Sequence, residues 1–486
     1  MPTTDLREVS AELRGLRARR KQKHKQGFAL LLSLIAIAVL AILVTDLHET
    51  TGMSFSAATA ERDALRAEYM AKSGLNLTRM LIGQEKNLRQ LVAPFFQYKL
   101  KRPPPPMPVW RFADALLKPF ADFDGSKEDV ASSGIDVEHA EGLGNVHGTF
   151  TVASAAENGK INLNDPRLQD LASSQANVAQ MFYSLLGGYQ PSPQKYDPLF
   201  SHQDEKGRIT TRLDLIDSVI DWWDQDTTRA NFDPVLNAVQ SGGGEDTDFY
   251  RDQPEPYVIR NAPFDTLEEL RLVRGMTDDI WATFVEPDAD EPSTRQISIY
   301  GAARVNPNEA EPSVMLARLC SFDVVRIQPL CSDPSGLEPL KFINLVSTLR
   351  AIIPLPAFSR GSDFVSFMTG APDSELYQML SQAFGGGGKG SGSTGGSASS
   401  GGALGGGSSS SLLFTPLVIK DPAVSTSIQQ QFGTSSSIFT IEVTGTAGIS
   451  QRRIRAVVNT DVKWTPPKPN AGKLPPLGVF AYYRID

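Results

Sequence analysis

"KHKQGFALLLSLIAIAVLAIL", Lys23 to Leu43, sets a basic stretch, a single glycine and a long apolar run end to end. From Phe28 to Val44 there is no charge, and Ser33 is the only polar side chain. A run of this length lies at the short end of what a helix needs to cross a bilayer core. Lys and Arg crowd the sequence before it, and Asp46 and Glu49 follow it. By the positive-inside rule the N-terminus is cytoplasmic and everything after residue 45 lies outside. A cleavable secretory signal ends in a small-x-small site beyond its apolar run, and Leu43-Val44-Thr45-Asp46-Leu47 offers none. Helix-forming sequence instead continues through "TAERDALRAEYMAKSGLNLTRMLIGQEKNLRQLV", Thr59 to Val92, which contains no proline. Leu65, Tyr69 or Met70, Leu77 and Leu81 recur there at helical spacing. The residues predict a membrane helix that extends well outside the bilayer.

The formal charge of −8 conceals an asymmetry. Residues 1–27 carry eight Lys/Arg against three acids, net +5, which leaves −13 on the remainder. A body that acidic is a poor partner for nucleic acid, whose affinity comes mainly from phosphate neutralisation. The chain has two cysteines, Cys320 and Cys331. They form one bridge if the body reaches an oxidising compartment, or stay as two buried thiols otherwise. The five histidines are scattered, so no Cys/His zinc set is available.

Beyond the rod, "KRPPPPMPVW" is a stiff polyproline break. A strand is predicted over 148–155, and mostly helical patterns over about 160–383. The clearest helix is "RITTRLDLIDSVIDWWDQD", with Leu213, Ile216, Ile220 and Trp223 on one stripe. Residues 385–411 are almost purely Gly and Ser and cannot build a core. "SIFTIEVTGTAGISQRRIRAVVNTDVKW" predicts a terminal hairpin, with Phe439, Ile441 and Val443 matched by Ile454, Ala456 and Val458. Together these predict an α+β architecture.

The densest chemistry lies in "LIDSVIDWWDQDTTRANFDP" and "GGGEDTDFY". Asp217, Asp221 and Asp224 fall at i, i+4 and i+7, one helical face of like charge that a cation would relieve. Asp226, Asp233, Glu245, Asp246 and Asp248 add hard oxygen donors of the kind calcium takes. The spacing is not that of an EF-hand, and a solvated acidic loop is the plainer reading. No Walker loop, GxSxG, HExxH or kinase set is present.

The basic leader, Gly27 and Phe28 resemble the processing site of type IV pilin-like proteins, and "AEYMAKSGLNL" (Ala67 to Leu77) resembles a stretch further along their helix. The resemblance implies that a prepilin peptidase cuts after Gly27, that the freed Phe28 amine is methylated, and that the helix is kept. Most pilins have Glu at the fifth mature residue; here that residue is Leu32. This departure is typical of the K-type minor pseudopilin family of type II secretion. "GKINLND" (Gly159–Asp165), "LIDSVIDWWDQD" (Leu215–Asp226), "GGGEDTDFY" (Gly242–Tyr250), "PYVIRNAPFDTLEELRLVRGMT" (Pro256–Thr277) and "VNPNEA" (Val305–Ala310) resemble the same family.

That resemblance implies a pilin-like fold with a large inserted helical domain. The expected parts are a leader over 1–27, the membrane and extended helix over 28–90, and pilin-like sequence over 91–158. The inserted domain then spans 159–383, the Gly/Ser-rich loop 384–411, and the pilin-like strands 412–486. The resemblance also implies calcium, with Asp224, Asp226, Glu245 and Asp246 as ligand candidates. No catalysis and no nucleic-acid partner are expected. The implied role is a subunit at the pseudopilus tip, anchored in the bacterial inner membrane with a periplasmic body. Its implied partners are the I- and J-type minor pseudopilins, the prepilin peptidase, the inner-membrane platform, and the secretin or cargo. "TLEELRLVRGMT" and "VNPNEAEPSVMLARL" also resemble helix-hairpin-helix half-motifs, read here as a structural helix pair. The alternatives are a membrane-anchored DNA-binding protein of a competence or type IV pilus system, and a membrane-tethered hydrolase using Asp221 or Asp224.

Overall fold

The computed structural model describes residues 6–99, 103–121, 148–164, 171–190, 195–201, 203, 209–245, 247–301, 304–352, 356–384, 413–462 and 477–486. The Gly/Ser stretch 385–411 lies outside them. Helix α1, Leu6–Gly83, runs through Gly27 without a break. Every described side chain from Phe28 to Ala58 is exposed. This is the one helix among the described residues long and apolar enough to cross a membrane. A turn at Gln84 leads into α2, Glu85–Lys99, and α3, Ala113–Ala121, follows.

The remaining elements in chain order are β1 (Thr149–Ala156), β2 (Ile161–Asn162), α4 (Leu171–Leu185), α5 (Arg212–Trp223), β3 (Thr228–Asp233) and β4 (Ala238–Glu245). Then come β5 (Ile297–Ser298), α6 (Pro312–Cys320), α7 (Leu337–Ile352), α8 (Gly361–Met368), α9 (Glu375–Phe384) and α10 (Pro422–Gln431). Three strands close the chain: β6 (Ile438–Ala447), β7 (Ser450–Asn459) and β8 (Val479–Ile485). The main sheet is antiparallel in the order β1-β6-β7-β8.

The outer half of α1 lies on this sheet. Met70, Ala71, Leu75 and Ile82 pack on the face made by Phe150, Val152, Phe439, Ile441, Val443 and Ile454. The predicted hairpin pairs as expected: Phe439 opposite Val458, Ile441 opposite Ala456, Val443 opposite Ile454. Two glycines allow the close approach. A Cβ on Gly445 would run into the Ala67 carbonyl, and one on Gly74 would fall 2.7 Å from the Phe150 ring. The small residues of "AEYMAKSGLNL" are therefore where helix and strand touch. The far edge of the sheet is closed by the segment before it: Asp114 of α3 accepts from the Val152 amide (2.8 Å), and Ser154 donates to the Trp110 carbonyl (2.7 Å).

A second, larger core gathers α4 to α10. Ile216 and Ile220 of the predicted stripe are fully buried in it, Trp223 nearly so, and Leu213 packs at its margin. Residues 413–432, expected with the terminal strands, join this helical core through Leu413, Phe414, Leu417, Ile428 and Phe432. Phe414 sits between the rings of Phe342 and Phe367, and Asp421 caps α10 with Pro422 in its first turn.

Asparagines substitute for missing backbone partners. Asn164 donates to the Phe264 carbonyl (2.7 Å) and accepts from the Phe264 amide (2.9 Å). Asn308 does the same with Phe358, at 2.8 and 3.0 Å. These residues belong to "GKINLND" and "VNPNEA", so those motifs carry loop-to-loop stitching. Cys320 and Cys331 are joined in a disulfide with a Cα separation of 5.7 Å, both buried. It closes a short loop around the turn Asp323–Arg326, and a loop of that size contributes about 2–4 kcal/mol.

Candidate functional site

The acidic stretch read as a loop is a two-stranded hairpin packed on a helix. Thr211 caps α5 through a reciprocal pair with Asp214. The next two acids on that face accept from the edge of β3. Asp217 Oδ1 takes the Phe232 amide at 2.8 Å, and Asp221 Oδ1 takes the Ala230 amide at 2.6 Å. The spacing explains the match: four helical residues rise about 6 Å, and two strand residues span about 6.7 Å. A carboxylate every fourth residue therefore meets every second amide of an antiparallel strand. Two of the three acids of the predicted cation face are thus tied to backbone, and they seal an edge that would otherwise stay open.

Of the ligand candidates, Asp224 ends α5, buried, and accepts from Gln175 Nε2 at 3.0 Å. Asp226 folds onto the Thr228 amide (2.8 Å) and hydroxyl (2.5 Å). The register of the hairpin sets Glu245 opposite Thr228. The Glu245 side chain and Asp246 lie outside the described residues. Among the described residues no three His, Cys, Asp or Glu side chains come together as a metal cluster. Asp226 and the Glu245 backbone lie at one end of the hairpin. At the processing position, α1 is continuous and Phe28 is exposed.

Burial, with Asp214 nearby, pushes the Asp217 carboxyl up to about 7, against the pull of the Phe232 amide and of Arg229 and Arg274. The bases of the helix-hairpin-helix-like piece are engaged within the protein. Arg271 pairs with Asp278 at 2.9 Å and stacks over Trp281, and Arg274 pairs with Asp214 at 3.5 Å. The piece itself is two short helical turns either side of Gly275, whose φ is +86°.

A second polar centre went unread in the sequence. Glu157 and Lys160, both buried, pair at 2.5 Å beside Ser298 and Thr440. Burial opposes the charge on Glu157, yet Lys160 and the hydroxyl donors more than offset it and hold its pKa below the ordinary carboxylate range. Glu442 on β6 is also buried, among arginines. One acid within the apolar alternation of "SIFTIEVTG" was the available signal.

A membrane-length helix laid on an antiparallel sheet, with a helical domain inserted between β1 and β6, is a pilin-like fold with a helical insertion. Residues 159–285 match the family model for type II secretion system (T2SS), protein K. The match covers the first part of the inserted domain, Gly159 to Val285. No curated protein matches the chain. Among solved structures, one similar chain comes from the GspK-GspI-GspJ complex of the enterotoxigenic Escherichia coli Type 2 Secretion System. It shows 11% identity over 70% of this chain and 80% of that one, with a TM-score of 0.37.

The raised pKa of Asp217 has a stability consequence. The folded value exceeds the unfolded one, so the proton stabilises the fold. That contribution is complete below the ordinary carboxylate range and is lost as pH rises through about 7. In chelator, the melting temperature of the full chain in detergent is expected to fall between pH 5 and 8, and Asp217→Asn to flatten that slope. An equal slope in the variant contradicts the assignment.

Proposed function

We propose that the protein is the tip subunit of the type II secretion pseudopilus, where it initiates or caps filament assembly during protein export. The observation that carries this reading is the exposed, uncharged helix that opens at Phe28, with Leu32 at its fifth position. In an apolar filament core an unpaired ammonium is costly, and a carboxylate at that position in the neighbouring subunit offsets it. A subunit without one has no ammonium above it to neutralise, and belongs at the end. The match of residues 159–285 to the protein K family model supports the same reading.

On this proposal the prepilin peptidase removes residues 1–27 at the cytoplasmic face, and the inner-membrane platform extracts the processed helix. The body stands in the periplasm, and the helix and sheet pack against I- and J-type minor pseudopilins. The end position also brings the inserted domain towards the secretin or cargo. Calcium held by Asp224, Asp226, Glu245 and Asp246 serves as a stability device for the hairpin, supplying charge neutralisation there.

The decisive chemical test is the N-terminal residue and mass of the protein from its native membrane. A chain that starts at Phe28 is expected. An intact Met1, or a start beyond Thr45, overturns the reading. For the metal, adding calcium to chelated protein is expected to raise its melting temperature, and Asp224→Asn with Asp226→Asn to abolish the rise. Equal melting with and without calcium refutes the metal role.

A further inference from the structure

The sheet core and the helical core stay separate, and a layer of buried charge lies between them. Glu442 projects from β6 on the face away from α1 and is 3% exposed. Arg295, which follows the short turn Pro292–Thr294 of the helical domain, approaches it at 2.9 Å. Arg453 of β7 approaches at 2.5 Å, and Arg455, directly opposite on β7, at 3.9 Å. Each arginine also reaches an acid of the helical domain. Arg295 pairs with Glu286 at 2.9 Å, Arg453 with Asp290 at 3.1 Å, and Arg455 with Glu286 at 3.8 Å.

We infer that Glu442 is a positioning residue: with Arg295 it locks the helical domain in one orientation over the pilin-like sheet. Two apolar faces can slide across one another at little cost. Buried charges cannot, because each meets its opposite charge in only one alignment and an unpaired buried charge is strongly penalised. Replacing both members of such a pair by apolar groups of similar volume is often neutral for stability. The network therefore acts on orientation more than on melting, and its outcome is a domain that moves as one piece with α1. The inference rests on the fold and does not depend on the tip assignment.

The test uses the full chain in detergent with nitroxide labels at Val258→Cys and Ile449→Cys. These exposed positions lie on the helical domain and on the β6–β7 turn. The chain's two native cysteines are joined to each other, so the labels go to the introduced sites. Pulsed electron–electron distance measurements are expected to give one narrow distribution in the labelled parent. In Arg295→Met/Glu442→Leu the distribution should widen about two-fold or more while the melting temperature stays within about 5 °C. A distribution as narrow as the parent's, at the same distance, overturns the inference. If the double variant shows no cooperative unfolding, Arg295→Lys decides. It keeps the charge but loses the planar fork, and is expected to broaden the distribution; unchanged width overturns the inference there too.

Discussion

An uncharged helix more than four turns long cannot remain in water, and the architecture follows from where that helix is covered. Beyond Ala67 the cover is protein: Ala67, Ala71 and Gly74 let the rod settle onto β6 and β1, and Gly445 removes a side chain that would hold it off. Between Phe28 and Ala58 the described residues supply no cover. That length of helix needs lipid or other helices around it.

The inserted domain solves a different problem. It leaves the sheet after β1 and returns at β6, so its attachment is a pair of crossings beside a layer of amides and charges. Asn158 accepts from the Ser437 and Ile438 amides at 3.0 and 3.3 Å where the chain returns. β6 is consequently buried on both faces, by α1 on one and by the helical domain on the other. The strand that anchors the rod is the strand that anchors the insertion.

Much of this was legible from residue order. The alternation from Phe439 to Val458 is a period-two signal strong enough to set both strand pairing and face. The α1 rod was legible for the same kind of reason, a long helix-forming run without a breaker. The hairpin of β3 and β4 was not. "RANFD" and "AVQSGGGE" have weak strand propensity, and the hairpin is held by carboxylates of α5 that looked like a cation face. β8 was missed because "TPPKPNAGKLPP" precedes it and its partner lies in a hairpin that already reads as complete. The charge layer was invisible for a simpler reason: Glu157, Arg295 and Glu442 are more than a hundred residues apart in sequence, and no local pattern joins them. The ligand candidates were only partly accessible to geometry, since Asp246 and the Glu245 side chain lie outside the described residues.

The central claim is that this subunit occupies one end of a filament. It is tested most directly by counting and locating it in assembled pseudopili, with a gold-labelled epitope placed in the stretch 385–411, whose Gly/Ser composition cannot build a core. The account predicts one label per filament, at a single end. Labels distributed along the filament length would contradict it.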